Sequence, residues 1–488
     1  MAFLLLLIFD QSKNKKSESP FFVEVLTDKK KKIYLENINT GVAIFGASGA
    51  GKSAGPIYWL MKHFSIKHFA GILYDYKDYE LTEIAYPLFK EQNINFKVFC
   101  LHDVNRSVRI NPIDPVFMRT EADVNGIIST LVLNLGQSED DSDAAKFFRE
   151  GTESLMSAVV WRLKTEYPDK CNLPFLVAFL LSADNHHEII ETRSGQRLVN
   201  PYKKLVDWIC KDQRAQILGS VFLTGLSNER QTASLYGTLA AALRKLASPE
   251  MFYLLGDNEL PLDINSEDHR AVISIINNPG KTETSYSPIL ATVLDAILTN
   301  MSVRGRKPSF TLVDEAPTIK IMSLARRIAT LRSFGLAFVY CVQDKIQSVS
   351  QFGGKEYRMK EIFSNLSTIF MGKVNDPDTA KYYQNYFELI KEQQVSVSKG
   401  KGDLLRSPDK GGTRVTTSTK DKSKVLAHEF FKLKAGEFVK FSAGEDVKFR
   451  FYYEDPPKEI PLPIREITPT MLDQNYETIL NQAKYFLQ

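Results

Sequence analysis

Cysteine is scarce in this sequence, and the cysteines that occur form no recognisable site. The 488 residues include four of them, and none lies in a CxxC pair or at a Cys/His spacing typical of a zinc site. This pattern predicts a reduced, cytoplasmic protein without a metal cluster. Long hydrophobic runs are also missing, since no window approaches 18 uninterrupted apolar residues, which argues against a polytopic membrane protein.

A large excess of charge is absent as well. Lys and Arg number 62 and Asp and Glu 58, a net charge of +4, so any nucleic-acid site must be local. Residues 391–424 form such a local concentration, because nine basic and four acidic residues give this segment a net charge of +5. We predict a basic flexible loop and a candidate DNA contact there; a basic insert without a specific role is an equal alternative. Its few aromatic residues argue against base stacking.

The N-terminus carries the longest apolar run, Ala2 to Phe9, which Asp10 ends. As a helix this run would reach about 12 Å, whereas about 20 apolar residues are needed to cross a bilayer. No basic residue precedes it and no small-residue cleavage site follows, so a secretory signal is not predicted. The run is consistent with a frayed terminus or a membrane contact. The lysines at 29–32 could likewise bind lipid head groups or form a solvated turn.

Short apolar strands that lead into helical patterns predict an α/β fold. Between the third and fourth predicted strands, about 130 residues show helical spacing and no convincing strand, too many for a loop in a compact domain. We therefore predict an inserted all-α domain. The predicted strands are Gly41–Phe45, Gly71–Tyr74, Phe96–Cys100, Ala271–Ile276, Phe310–Val313, Leu336–Cys341 and Leu366–Met371.

This pattern divides the chain into five predicted segments. They are an N-terminal stub and basic segment at 1–34, a nucleotide-binding domain in two parts at 35–120 and 257–455, the inserted all-α domain at 121–256, and a C-terminal Pro-rich tail and helix at 456–488. Within the second part, a hairpin is expected around Ala443-Gly444.

The strongest motif is GASGAGKS, which fits GxxxxGK[ST] without a mismatch between a predicted strand and a helical pattern. Glycines let backbone N–H groups converge on a phosphate, Lys52 would reach the β- and γ-phosphates, and Ser53 would hold Mg²⁺. The candidate ATP-binding residues are Gly46, Ala47, Ser48, Gly49, Ala50, Gly51, Lys52 and Ser53.

A second motif supplies the acidic partner that a P-loop needs. The predicted strand Phe310–Val313 ends in Asp314 and Glu315. We expect Asp314 to face the metal and Glu315 to polarise a water for attack on the γ-phosphate. A water-activating glutamate argues against a small-molecule kinase, because an acceptor hydroxyl does not require one. The next strand ends in Gln343, where RecA-like motors place a residue that senses the γ-phosphate; a glutamine that starts an ordinary loop is the alternative.

Beyond these motifs, the chain resembles the coupling-protein ATPases of type IV secretion and conjugation, the TraG-type family. The resemblance covers about residues 35–455, and it departs from the family's Asp-x-Lys-Gly-Glu segment at Asp78, where glycine is usual. The matching segments, in family order, are YDYKDYELTEIAYPLF (74–89), RINPIDP (109–115), DEAPTI (314–319), LRSFGLAFVYCVQD (331–344), Gly353 and IFSNLSTIFMGKVNDPDTAKYY (362–383).

The resemblance implies a RecA-like P-loop ATPase that works as a homo-hexamer at the cytoplasmic face of the bacterial inner membrane. It implies that Lys52 and Ser53 bind ATP with Mg²⁺, that Asp314 and Glu315 form the Walker B pair, and that Gln343 is the sensor. Arg332 matches the arginine that reaches into the neighbouring subunit's ATP site, with Arg326 and Arg327 as rival candidates.

The implied function is to drive relaxase-bound single-stranded DNA into a type IV secretion channel. Family members usually carry N-terminal transmembrane helices, so the anchor of this chain is expected to be removed, supplied by a separate partner subunit, or dispensable. Alternatives are a coupling ATPase that secretes protein effectors, a double-stranded DNA translocase of the FtsK/HerA kind, or a recruitment scaffold that does not hydrolyse nucleotide. The intact P-loop and Walker B residues count against the scaffold.

Overall fold

The computed structural model describes residues 19–136, 142–182, 188–191, 197–200, 202–280, 283–387, 389–399, 413–442 and 445–487. The apolar run from Ala2 to Phe9 lies outside these residues. Within the described part of the chain, no helix is both long and apolar enough to cross a membrane.

The fold is built from fifteen strands in the described residues, nine of which form one mixed sheet. The strands, in chain order, are β1 (Val23–Leu26), β2 (Lys32–Leu35), β3 (Val42–Phe45), β4 (Ala70–Asp75), β5 (Asn95–Cys100), β6 (Glu188–Glu191), β7 (Arg197–Asn200), β8 (Ala271–Ile276), β9 (Ser309–Val313), β10 (Leu336–Val342), β11 (Thr368–Met371), β12 (Leu389–Lys399), β13 (Thr413–Ser423), β14 (Glu437–Ser442) and β15 (Glu445–Arg450).

Seventeen α-helices accompany the strands in the described residues. They are α1 (Tyr58–Ile66), α2 (Thr82–Glu91), α3 (Glu121–Leu135), α4 (Asp143–Glu166), α5 (Leu173–Leu181), α6 (Lys203–Cys210), α7 (Gln213–Leu218), α8 (Ser220–Gly225), α9 (Glu229–Arg244), α10 (Pro249–Leu254), α11 (Glu283–Met301), α12 (Leu324–Leu331), α13 (Lys345–Ser350), α14 (Glu356–Phe363), α15 (Pro377–Gln384), α16 (Ala427–Phe431) and α17 (Pro469–Lys484).

The large sheet has the order β15-β14-β11-β3-β10-β9-β4-β8-β5, and the seven strands from β11 to β5 are parallel. The seven parallel strands are the seven predicted from sequence, with ends that differ by at most two residues. They were predictable because strands covered on both faces read as continuous apolar runs. The α/β expectation is confirmed, and the expected hairpin is the antiparallel pair β14–β15 at one edge.

The two faces of this sheet lead into two hydrophobic cores. In β3, Ala43 and Phe45 point into one core, whereas Val42 and Ile44 point into the other, as the two-residue period of a strand requires. The second core also takes Val23, Val25 and Leu35 from the β1–β2 hairpin. The stretch expected as a separate N-terminal segment therefore packs, from residue 23 onward, as part of the α/β body.

Helices α3 to α10 occupy the stretch predicted as an all-helical insertion, and their buried side chains share the first core with one face of the sheet. The expectation that this stretch has no strand is wrong, because β6 and β7 pair there as a short antiparallel hairpin. Four-residue strands such as EIIE and RLVN are too short to show a clear two-residue period.

The basic segment at 391–424 also differs from expectation. Where the sequence predicts a flexible loop, β12 and β13 form an antiparallel ladder with Leu389 opposite Ser423 and Lys399 opposite Thr413. Val395 and Val397 lie opposite Thr417 and Val415, and β-branched residues favour extended backbone. The lysine-rich composition concealed this local preference. Residues 400–412 lie outside the described part.

The C-terminal tail packs onto the helical part of the molecule. Helix α17 contacts α5 and α10, and the ring of Phe486 beyond it meets aromatic side chains at centroid distances of 4.8 to 5.8 Å. These partners are Tyr167, Phe175, Phe179 and Trp208. Burial of Leu472 and Ala483 anchors the helix, so the predicted terminal helix completes a core formed more than 200 residues earlier in the chain.

Candidate nucleotide site

The GASGAGKS segment joins the end of β3 to α1 as an open loop at the carboxyl edge of the parallel strands. Gly49 and Gly51 have φ angles of +74° and +88°, a region that L side chains rarely adopt. A Cβ on Gly51 would also lie 2.5 Å from the backbone nitrogen of Gly436. Both glycines are therefore required by the backbone path, and Gly436 adds a close packing partner from a distant part of the chain.

The helix after this loop begins with a wide turn. Pro56 has no N–H with which to bond the carbonyl of Lys52, and the N–H of Ile57 donates to that carbonyl instead, at 3.1 Å. Residues Ser53–Ile57 consequently form a π-helical turn, with Gly55 outside helical φ and ψ, before α1 starts at Tyr58. This turn places Lys52 and Ser53 at the helix N-terminus, where positive potential favours anions.

Lys52 and Glu315 meet in the interior of this edge. The Lys52 side chain is 6% exposed and that of Glu315 is fully buried, and their Nζ and Oε1 atoms are 3.6 Å apart. Lys52 Nζ also donates to the carbonyl of Gly46 at 2.7 Å. The lysine is thus held at the mouth of the loop by two oxygen partners, with which phosphate oxygens would compete.

Asp314 lies beside this pair, only 2% exposed. Burial, together with the neighbouring Glu315 carboxylate, raises the pKa of Asp314 to about 7, and the positive charges of Lys77 and Lys52 oppose that rise. Among the described residues, neither Asp314 Oδ1 nor Glu315 Oε2 has a hydrogen-bond partner, although both are buried. Unpartnered buried carboxylate oxygens of this kind suit a hard cation such as Mg²⁺.

Gln343 follows β10 directly and contacts the carboxylate of Glu315. Its Nε2 donates to Glu315 Oε1 at 2.8 Å. Glu315 itself has a left-handed backbone, with φ of +47°, and its carbonyl accepts hydrogen bonds from the N–H and hydroxyl of Thr318. A non-glycine residue in this region is under backbone strain, which here points a fully buried carboxylate at Lys52.

The loop after β4 also reaches the site, although no motif in the sequence assigned its residues a role there. Asp75 ends β4 as a buried carboxylate that accepts hydrogen bonds from the backbone of Lys77, Leu81 and Thr82. The loop presents Glu80, whose Oε1 accepts a 3.4 Å hydrogen bond from Ser53 Oγ. Spacing could not reveal this contact, because 27 residues separate Ser53 from Glu80.

Asp78 explains one departure from the family pattern. Its φ is +47°, the conformation for which glycine is usual and which aspartate tolerates better than most residues. Its carboxylate accepts hydrogen bonds from Asn278 Nδ2 at 3.0 Å and bonds His102 Nε2 at 2.8 Å. These contacts hold the left-handed turn without a glycine.

The family-like segment RINPIDP (109–115) connects other parts of the molecule. Asn111 donates through Nδ2 to the carbonyl of Cys171 at 2.8 Å, and its backbone N–H donates to Asn258 Oδ1 at 2.7 Å. It therefore ties the chain after β5 to the turn before α5 and to the segment after α10, a structural function separate from nucleotide binding.

Arg332 is placed at the opposite end of β10. It lies exposed in a short 3-10 turn after α12, and Gly335, with φ of +67°, turns the chain back into β10. Among the described residues none contacts its guanidinium by a hydrogen bond or ion pair. The chain from Arg332 to Gln343 includes all seven residues of β10, roughly 23 Å of extended chain. Arg332 cannot reach its own P-loop across that distance.

Of the rival arginines, Arg327 has a structural partner. Its guanidinium lies 2.7 Å from Oδ1 of the buried Asp295 and bonds the hydroxyl of Thr299. Arg326 is exposed. Arg332 and Arg326 therefore remain as candidates for a group that acts outside its own subunit.

Comparison with known proteins agrees with this geometry. Residues 10–482 match the family described as type IV secretory system conjugative DNA transfer. The chain belongs to this family. The resemblance predicted from the motifs is thereby confirmed over nearly the whole sequence. No curated protein sequence matches the chain significantly.

Solved structures share the fold of this conjugative DNA transfer protein. The bacterial conjugative coupling protein TrwBΔN70, in an unbound form, has a TM-score of 0.64 at 13% identity over 90% of both chains. TrwB in complex with ADP and Mg²⁺ gives 0.63 at 13% identity, over 90% of this chain and 91% of that one. VirB4 of Thermoanaerobacter pseudethanolicus gives 0.52 at 11%, over 89% and 96%. The predicted RecA-like fold with a helical part is confirmed by these likenesses.

Proposed function

We propose that this protein is an ATP-hydrolysing coupling motor that drives DNA into a type IV secretion channel. The observation that carries the proposal is the convergence of Lys52, Ser53, Asp314, Glu315 and Gln343 at one edge of the sheet, in a chain of the conjugative DNA transfer family. TrwB structures with an ATP analogue and with ADP and Mg²⁺ support the choice of nucleotide and metal.

Each residue of the site has a function that follows from its chemistry. The loop amides and Lys52 would bind the phosphates, and Ser53 and Asp314 would hold Mg²⁺, which would neutralise phosphate charge. Glu315 accepts the proton of the attacking water, because its carboxylate is buried, strained toward the site and held by Gln343. When ATP is bound, Gln343 can donate to the γ-phosphate in place of Glu315, which would release Glu315 Oε1 as well.

Arg332 completes the site of a neighbouring copy in this proposal. An arginine supplied in trans stabilises charge on the transferring phosphoryl group, and the exposed position of Arg332 far from its own P-loop supports this function. The assembly is a homo-hexameric ring at the cytoplasmic face of the inner membrane. Its partners are relaxase-bound single-stranded DNA, the secretion channel and a separate anchor subunit if the chain itself is not anchored.

The test is ATP hydrolysis with and without DNA. We expect Mg²⁺-dependent hydrolysis that single-stranded DNA stimulates and that Lys52→Ala abolishes, with Lys62→Ala on α1 as a matched lysine control. Absence of Mg²⁺-dependent hydrolysis in the wild-type protein would contradict the proposal. Stimulation by duplex DNA alone would identify a double-strand translocase, and stimulation by neither would favour a protein cargo.

A further inference from the structure

The loop between β4 and α2 has a conformation that needs support. Asp78 and Tyr79 are consecutive non-glycine residues with φ angles of +47° and +74°. Left-handed backbone is unfavourable at such a residue and persists only where the surroundings determine it. The loop is thus built to hold one shape, and that shape brings its last residues to the P-loop.

Asp75 is the main support of this shape. The carboxylate is completely buried, and its two oxygens accept hydrogen bonds from the backbone N–H groups of Lys77, Leu81 and Thr82 and from the Thr82 hydroxyl. Just after the neighbouring strand β8, the carbonyl of Asn277 accepts a hydrogen bond from the N–H of Asp78. Both ends of the loop are therefore fixed relative to the parallel sheet.

The fixed loop places one charge of each sign against the metal-binding residues. Glu80 accepts the hydroxyl of Ser53 at 3.4 Å, and the Lys77 ammonium lies 3.9 Å from the other Glu80 oxygen. Lys77 also acts electrostatically on Asp314, the second residue assigned to Mg²⁺. Ser53 and Asp314 follow β3 and β9, whereas Lys77 and Glu80 follow β4, so this contact is tertiary and not a consequence of local sequence.

We propose that Glu80 is a positioning residue for Mg²⁺ in the ATP site. Mg²⁺ bound to nucleotide keeps several of its waters, and carboxylates just outside the inner coordination sphere accept their hydrogen bonds. Glu80 orients the Ser53 hydroxyl. A carboxylate this close to Ser53 is also near enough to accept a hydrogen bond from a water bound to the Mg²⁺ that Ser53 would hold. Its remaining exposure, 44% of the side chain, leaves one face of the carboxylate open for this. The inference rests on the proposed nucleotide-binding function.

The test measures nucleotide affinity and not turnover. A fluorescent ADP analogue is titrated into wild type and Glu80→Gln, once with Mg²⁺ and once with EDTA. Loss of a group outside the inner sphere typically lowers metal affinity by about 10- to 100-fold. We therefore expect the gain in ADP affinity that Mg²⁺ confers to fall about tenfold in Glu80→Gln, with little change in EDTA. Glu80→Asp, which keeps the charge on a shorter stem, should lie between the two.

Glu83→Gln is the matched control, because Glu83 lies one turn further along the same segment and pairs with Lys458 away from Ser53. It should keep the wild-type Mg²⁺ gain, and thermal denaturation checks that all variants are folded. An unchanged Mg²⁺ gain in folded Glu80→Gln would overturn the assignment, as would an equal loss of ADP affinity with Mg²⁺ and with EDTA. A wild-type protein whose ADP affinity ignores Mg²⁺ would instead contradict the proposed function.

Discussion

The two ends of strand β10 differ in how charged side chains are placed, buried and paired at one end and exposed at the other. At its carboxyl end, Gln343 bonds the fully buried Glu315, which in turn faces Lys52. At its amino end, Arg332 is exposed, and no described residue pairs with it. One strand thus connects a buried site, in which Glu315 pairs with Lys52, to a cation at the surface.

This difference indicates where each group acts. Buried charges are costly unless they are paired, so Lys52 and Glu315 are retained together for a task within the subunit. An exposed arginine costs little wherever it stands, so its exposure is equally compatible with an ordinary surface side chain and with an action on a neighbouring subunit, and substitution has to distinguish the two. Substitutions at both ends of the strand can show whether the two groups act in one reaction.

Arg332→Ala should have the largest effect on the reaction, if the arginine acts on a neighbouring site. An arginine finger contributes about 10³–10⁵ in rate, so ATP turnover should fall by that order while ATP binding is retained. Arg326→Ala is the control, since Arg326 is also exposed but lies on α12 itself. If Arg326→Ala loses turnover and Arg332→Ala keeps it, the two assignments must be exchanged.

Mixing variants separates action between subunits from action within one. Arg332→Ala and Lys52→Ala subunits, each inactive alone, should regain hydrolysis when co-assembled, because some interfaces then join an intact P-loop to an intact arginine. If subunit exchange is verified and no activity returns, the arginine acts in its own subunit or the ring hydrolyses only when complete. Titrating one variant into wild type distinguishes these, since proportional loss indicates independent sites.

Glu315→Gln tests the buried end of the strand. Removal of a general base typically costs about 10²–10⁴ in rate, so hydrolysis should fall by that order. ATP binding should persist, because Glu315 acts on water and the amide still fills the space beside Lys52. Turnover and equilibrium binding are measured on the same preparation. Loss of nucleotide binding with an unchanged circular dichroism spectrum would show that Glu315 holds the P-loop and not the water.

Arg327, unlike Arg332, pairs with a buried carboxylate of its own chain. Arg327→Met should break this ion pair and leave the buried Asp295 without its cation. We expect the free energy of unfolding to fall by about 2–3 kcal/mol, less than for a fully buried pair since Arg327 is partly exposed. Urea denaturation measures this change, with Arg326→Met as the control.

The same variant has a predictable pH dependence. Burial raises the pKa of Asp295, and Arg327 opposes part of that rise. Without Arg327 the pKa of the folded carboxyl rises further above the ordinary value of 3.8, so the folded variant binds a proton that the unfolded chain does not. The variant should therefore lose stability relative to wild type as the pH increases above the folded-state pKa of Asp295 in wild type, which is itself raised above 3.8. If the difference in the free energy of unfolding between variant and wild type did not vary with pH, the pairing of Arg327 with Asp295 would be contradicted.

The smallest expected effect concerns the basic hairpin β12–β13. Like Arg332, this hairpin carries positive charge outside the nucleotide site. Neutralising its lysines and arginines should weaken single-stranded DNA binding without sequence preference. The dependence of log Kd on log[salt] should become less steep, by about 0.7 for each phosphate that the variant no longer neutralises. Neutralising the exposed lysines 29–31 in the turn after β1 is the control. An unchanged slope in the hairpin variant would mean that DNA takes another path.

Chemistry that depends on short spacings was predictable. The GxxxxGK[ST] loop needs eight consecutive residues, and the Asp314–Glu315 pair needs only a strand before it, so both could be found without knowing the fold. The parallel strands were predictable for a related reason, since a strand buried on both faces has no polar positions to interrupt it. By contrast, β6 and β7 are short, and the composition of β12 and β13 is that of a solvated segment.

The sequence by itself determined the residue types of the site, the central strands and the helical stretch between them. Only the tertiary structure decided that β10 lies between β3 and β9, which puts Gln343 on Glu315, and that the loop after β4 reaches Ser53. It also decided that Arg327 turns inward while Arg332 remains exposed. The physical reason is that strand order and such contacts depend on burial shared among residues far apart in the chain, which no local period or motif encodes.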